Sequence, residues 1–171
     1  MSALYLIALG SNMRVMDVGP PRAVLVAAFD ALDHEAGIAL YARAPIVDSA
    51  PLGPSHRRYA NSAALVECDL APLQLLALLQ RIERRFGRGR AQRRGQLWRA
   101  RALDLDIILW SGGVWASPDL TIPHREMRNR SFVVEPACAV AGAWRDPVTG
   151  LTLAHISARL GRKRKGAHPK G

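Results

Sequence analysis

Residues 101–110 read RALDLDIILW, and the fold turns on how Asp104 and Asp106 fit this otherwise apolar run. Side chains of a strand alternate between its two faces. Read as a strand, the stretch sends Leu103, Leu105 and Ile107 to a core and sets the two carboxylates side by side on the opposite face. Neighbouring carboxylates repel, and a buried one is costly without a cation or donors to meet it. Two readings satisfy this: ordinary solvated Asp on an edge strand, or a pair that holds a hard dication. Mg²⁺ suits the second, because it takes one or two carboxylates and fills its other positions with water and phosphate oxygens.

Immediately before this strand, residues 88–101 read RGRAQRRGQLWRAR, with almost no apolar content and no period. A loop of that length signals function or disorder. Arg88, Arg90, Arg93, Arg94, Arg99 and Arg101 stand there without a Lys. Guanidinium forks suit bidentate phosphate contacts, although Lys is scarce throughout this chain and the preference is partly compositional. Proximity carries the inference instead. A cationic loop joined to an Asp pair is equipment for phosphoryl-type transfer, in which charge on the transferred group is neutralised and the protein mainly positions. The chain has neither GxxxxGK[ST] nor GxGxxG, which excludes a P-loop enzyme and a dinucleotide-binding fold.

Upstream, ALYLIAL at 3–9 reads as a buried strand ended by Gly-Ser-Asn. Pro20 and Pro21 open a helix with Val24, Leu25, Ala28, Phe29 and Leu32 at helical spacing, stopped by Gly37. Ile38 to Val47 and Tyr59 to Val66 are strand candidates separated by a Pro-Leu-Gly-Pro loop. Pro72 opens a second helix with Leu73, Leu76, Leu79, Ile82 and Phe86 on one stripe, ended by Gly87. The order β-α-β-β-α-β predicts an α+β, ferredoxin-like sandwich: one antiparallel sheet with helices on one face, followed by extra C-terminal elements. Those are a short strand near Val114, a turn at Ile122-Pro123-His124, and helices over Phe132–Val140 and Leu153–Leu160.

A chain of 171 residues with 49% hydrophobic and 22% charged residues is most simply a single globular domain, here residues 1–160. Its net charge of +10 is local: residues 81–101 carry +8 and the tail 161–171 carries +5, which leaves the rest at −3. The tail has no apolar period and is expected to be disordered. The N-terminus reads as neither a signal nor a span, and a cytoplasmic protein with no membrane partner is expected. Cys68 and Cys138 are too few and too far apart for a disulfide framework or zinc site.

Taken together, LGSN at 9–12, APLGP at 50–54, YANSAALVE at 59–67, RIERRFGRGR at 81–90, WRARALDLDI at 98–107 and IPHREMRNRSFVVEP at 122–136 closely resemble 6-hydroxymethyl-7,8-dihydropterin pyrophosphokinase. Those folate-pathway enzymes move a diphosphate from ATP to the pterin hydroxymethyl group and release AMP. The resemblance implies the ferredoxin-like fold. It also implies that Asp104 and Asp106 bind two Mg²⁺ ions with ATP, and that Arg88, Arg90 and Arg101 are arginines of a mobile catalytic loop. Gln80, Glu83, Thr121, His124 and Arg130 match positions around the nucleotide. Tyr59 and Phe132 resemble the aromatic pair that sandwiches the pterin, Asn61 the amide that reads its edge, and Ser49 and Leu52 the segment whose backbone completes the pocket. Gly10, Ser11 and Asn12 resemble the supporting turn.

The chain departs from the family pattern at Leu97, Arg125, Ala50 and Asp119, and its Arg-rich segment is longer. A related pterin acceptor is not excluded by any residue. A basic RNA-binding α+β module is a competing class, but the sheet lacks the aromatic-rich RNP signature. Specific nucleic-acid binding is therefore not expected, and a monomer is the default because no obligate interface is evident.

Overall fold

The computed structural model describes residues 1–49, 58–87 and 102–166, with side chains as far as Lys163. Strand β1 (Ala3–Ser11) leads to helix α1 (Pro21–Asp33), then β2 (Ile38–Arg43), β3 (Val47–Ser49), β4 (Tyr59–Cys68) and helix α2 (Pro72–Arg85). Strand β5 (Asp104–Trp110) follows, then β6 (Trp115–Ala116), β7 (Thr121–Ile122), a 3₁₀ turn (Met127–Asn129), α3 (Ser131–Ala141) and α4 (Leu153–Gly166). The main sheet runs β2-β4-β1-β5 with antiparallel neighbours, and β3 extends it by pairing with β4. This is the predicted ferredoxin-like order. Each strand that follows a helix lands two places from the strand before that helix, with an antiparallel strand between.

Alternation along the strands builds two cores. Tyr5, Ile7 and Leu9 of β1 and Leu103, Leu105 and Ile107 pack against Val24, Leu25, Phe29 and Leu32 of α1 and Leu75, Leu79 and Ile82 of α2. On the reverse face Leu6, Ala8, Ala63 and Leu109 pack against Val133, Val134 and Ala137 of α3 and Leu153 and Ile156 of α4. Helices therefore cover both faces, which corrects the expected one-sided sandwich. The C-terminal residues form a third layer, because Leu6 and Leu109 leave apolar surface on the second face that must be buried.

Two further differences have local causes. The predicted strand over Ile38–Val47 is split, since Pro45 lacks a ladder donor, and Ser62 Oγ donates to Ala44 O at 2.8 Å across the break. Helix α4 continues through Gly166, past the Leu160 end expected from sequence. Lys and Arg are good helix formers, and cations at a helix C-terminus suit its dipole. The strand expected near Val114 is β6, paired with β7 in a small hairpin.

Helix α2 ends as anticipated. Gly87 sits at φ +101, a left-handed conformation that favours glycine, just past the last turn. Both cysteines are free, Cys68 buried and Cys138 half-buried. Among the described residues no helix is long and apolar enough to cross a membrane.

Candidate active site

Register brings the predicted residues to one end of one sheet face. Gly10 pairs with both Asn61 and Asp104, and Ala8 with both Ala63 and Asp106. Ser49 pairs with Tyr59 in the next row. Paired residues of an antiparallel sheet share a face, so Tyr59, Ser49, Asn61, Asp104 and Asp106 all point to the side covered by α3. Between the polar groups lies half-buried Gly10, while Ala8 and Ala63 beyond it are buried in the core under α3. A Cβ at Gly10 would meet Asn61 Oδ1 at 3.6 Å, so the amide lies directly over the glycine.

The Asn61 amide is oriented by its neighbour. Its Nδ2 donates to Ser49 Oγ at 2.8 Å, and the residue is buried. Ser49 thus acts on the amide through its hydroxyl, a contact the sequence reading did not include, and Asn61 Oδ1 is the atom that faces Gly10. Tyr59 is half-buried at the start of β4, and Phe132 is partly buried on the first turn of α3, against the same core. Pro136 offers no N–H to the Phe132 carbonyl one turn back, so this end of α3 lacks one helical bond.

Asp104 and Asp106 are half-buried on adjacent same-face positions of β5. Beneath them Glu83 of α2 is buried, and its Oε1 accepts the Leu105 N–H at 2.8 Å. Because β5 is an edge strand, the outward Leu105 N–H has no strand partner, and the Glu83 carboxylate supplies one. Glu83 thus supports the strand that carries both aspartates. Gln80 is half-buried one turn earlier on α2. Glu83→Ala should lower stability by about 1–3 kcal/mol through the stranded N–H, and Glu83→Gln by much less. Urea midpoints decide: equal midpoints for the two variants would remove Glu83 from this role.

The segment after β5 carries Thr121, His124 and Arg130. His124 N donates to Ile108 O at 3.1 Å, which ties the turn to β5. Its Nδ1 accepts from Glu126 N at 3.2 Å, which leaves Nε2 as the protonated, donating nitrogen of the neutral ring. Arg130 places its guanidinium 6.0 Å from the Phe132 ring centroid and forms no ion pair among the described residues. Gly10 and Ser11, expected in a turn, are the last residues of β1, and Ser11 Oγ donates to Ala102 O at 2.5 Å, which holds the entry to β5. Arg88, Arg90, Arg101 and Leu52 lie outside the described residues.

Sequence reasoning passed over Asp146. It is fully buried, and Arg128 donates to it from Nε at 2.7 Å and Nη2 at 2.8 Å. Burial alone would raise its pKa, but bonds from Arg128, Thr149 and the Val148 N–H hold the carboxyl below its ordinary range. A signal was present in Asp-Pro-Val-Thr-Gly at 146–150, a run typical of a turn closed by its own Asp side chain.

Comparisons with known proteins give the family. The family model for 7,8-dihydro-6-hydroxymethylpterin-pyrophosphokinase matches residues 6–142. The chain belongs to the pyrophosphokinase family. Among curated relatives it is 40% identical over 136 residues to the Haemophilus influenzae 2-amino-4-hydroxy-6-hydroxymethyldihydropteridine pyrophosphokinase, covering 79% of each chain. It is 39% identical over 142 residues to the Pseudomonas aeruginosa enzyme of the same name, covering 82% of each. A Plasmodium falciparum HPPK-DHPS structure with pteroate superposes with a TM-score of 0.73 at 10% identity, over 98% of this chain and 44% of that one, and so supports the fold. Every residue named above for the pyrophosphokinase site falls inside the matched segment; Asp146 falls outside it.

Proposed function

We propose that this pyrophosphokinase-family chain transfers a diphosphate from ATP to 6-hydroxymethyl-7,8-dihydropterin in folate biosynthesis, releasing AMP, as a single domain that includes α4. The observation that carries the reading is the convergence of Tyr59, Asn61, Asp104 and Asp106 on one end of one sheet face, with the His124 turn bonded to β5 and Arg130 stacked near Phe132. A planar donor-rich heterocycle suits the surface at Gly10, where no side chain stands between Asn61 and Asp104. Tyr59 and Phe132 would stack on it, and Asn61 Oδ1, turned by Ser49, would accept from its edge.

The carboxylates fit a metal. Asp104 and Asp106 are two hard oxygen donors side by side, and among the described residues no third Asp, Glu, His or Cys joins them. That donor set leaves coordination positions for water and phosphate oxygens, the arrangement Mg²⁺ prefers. When bound, Mg²⁺ supplies charge neutralisation on the polyphosphate. His124 Nε2 and Arg130 would donate to phosphate oxygens, and Arg88, Arg90 and Arg101 join them on sequence grounds. The pterin hydroxyl oxygen forms its bond to the β-phosphorus, the bond from that phosphorus to the α,β-bridging oxygen breaks, AMP keeps that oxygen, and the hydroxyl proton is lost. The chain's own part is to align the two substrates and to hold donors where charge accumulates.

The test is AMP formation from ATP and Mg²⁺, with and without 6-hydroxymethyl-7,8-dihydropterin, followed by chromatography. AMP appearing only with the pterin supports the reading; no AMP from folded protein in either case would overturn it. Tyr59→Ala and Phe132→Ala should each weaken pterin binding by about 1–3 kcal/mol, with ATP binding little changed, if base–aromatic stacking sets the scale. Unchanged pterin affinity in both variants would make these rings core residues only.

A further inference from the structure

Glu83 and Asp146 are the fully buried acids among the described residues, and only Glu83 touches an element that carries the proposed catalytic pair. Asp146 lies beyond the matched family segment, yet its carboxylate is satisfied on every side. Oδ2 accepts from Arg128 Nε and from Thr149 Oγ1 at 2.6 Å; Oδ1 accepts from Arg128 Nη2 and from Val148 N at 3.0 Å. The turn around it is closed by its own backbone, with Asp146 N donating to Leu151 O and Gly150 N to Asp146 O. The carboxylate is therefore held in place independently of Arg128.

Arg128 belongs to the segment that carries His124 at one end and Arg130 at the other. Within that segment the backbone bonds are short turns: Met127 N to His124 O, Asn129 N to Glu126 O and Arg130 N to Met127 O. Buried Met127 and the His124–Ile108 bond anchor its first half. For the second half, the Arg128–Asp146 fork is the long-range polar tie among the described residues. The pair also has an electrostatic effect. Of the segment's three arginines, the buried carboxylate quenches Arg128, which leaves Arg125 beside His124 and Arg130 at the far end without an ion pair among the described residues.

We infer that Asp146, acting through Arg128, is a positioning residue of the transfer site: it holds the 124–130 segment in place and withdraws the Arg128 charge, so that ATP phosphates engage His124 and Arg130. The inference rests on the pyrophosphokinase reading above. A bidentate charge-assisted pair provides both restraint and direction.

The experiment compares Asp146→Asn, Asp146→Glu, the double variant Arg128→Gln/Asp146→Asn, and Leu153→Ala, a core variant chosen to lose comparable stability. All are assayed well below their unfolding transitions. Asp146→Asn should raise KM for Mg·ATP about tenfold, the scale of one charge-assisted bond, with kcat within about twofold. Asp146→Glu should restore part of that loss, and so should the double variant, which removes the released cation. Leu153→Ala should leave KM unchanged. A wild-type KM in Asp146→Asn, or the same KM shift in Leu153→Ala, would overturn the inference. Wild-type protein that forms no AMP would overturn the functional reading instead, and calorimetric binding of Mg·ATP by the same variants would then read the positioning role directly.

Discussion

Asp104→Asn and Asp106→Asn should each lower pterin-dependent AMP formation at least about a hundredfold, the scale seen when one preorganised group that stabilises developing charge is removed. The substitutions keep the shape of each side chain and remove the charge. Both residues are half-buried on the open end of β5, so neither change opens a cavity and the urea midpoint should move little. The more discriminating readout is the metal. A ligand that binds only the folded protein raises its melting temperature with concentration, so Mg²⁺ with a non-hydrolysable ATP analogue should stabilise wild type and lose most of that effect in either variant. Retained activity with an unchanged Mg²⁺ midpoint in both variants would remove the pair from metal binding and leave them as solvated strand residues. Loss of activity together with a large drop in midpoint would instead show that the carboxylates support the fold.

The proposed centre was legible in the sequence because it is built on regular structure. Once residues 104–110 are a strand, alternation places Asp104 and Asp106 on one face, and the same argument puts Tyr59 with Asn61. The β-α-β-β-α-β order then fixes which strands are neighbours, and hence that Gly10 lies between Asn61 and Asp104. What was not legible depends on contacts between distant, irregular segments. Glu83 was expected near the nucleotide, but the strand edge it would cap becomes visible only when α2 is packed under β5. The second helical layer was missed because α3 has small apolar residues, Ala137 and Ala141 among them, and no strong stripe, so its docking against Leu6 and Leu109 left little trace in the local pattern. The end of α4 was misjudged for the opposite reason. A run of Arg and Lys with no apolar partner looks unstructured, although its backbone propensity favours continuing a helix already begun by Leu153 and Ile156.

Charge follows the same division. The body of the chain is slightly acidic, and its acids are used in ion pairs within the fold: Glu35 holds Arg81 and Arg85 across α1 and α2, and Asp30 and Asp33 hold Arg43. The Arg43 pairs are largely exposed and each worth little, while Glu35 keeps only 12% of its exposure but meets arginines that remain half-exposed. Asp146 differs because it is buried, and it is the pair whose loss should be felt in stability.

Asp146→Asn should destabilise the protein by about 3 kcal/mol at neutral pH, near the lower end of the range for breaking a buried ion pair, because the Arg128 side chain keeps 29% of its exposure and can be partly rehydrated. The pH dependence follows from the direction of the shift. Burial acts to raise the carboxyl, but the donors from Arg128, Thr149 and Val148 prevail and lower it. A carboxyl that is more acidic in the folded state binds fewer protons there than in the unfolded chain, so its contribution is complete above the unfolded value of about 3.9 and declines as pH falls toward the folded value. The difference in unfolding free energy between wild type and Asp146→Asn should accordingly be flat from pH 7 to about pH 5 and shrink below about pH 4. Urea denaturation of both proteins across that range measures it. A difference that stays constant to pH 3 would mean that Asp146 supports the turn through hydrogen bonds alone, and that the charge of Arg128 is met elsewhere.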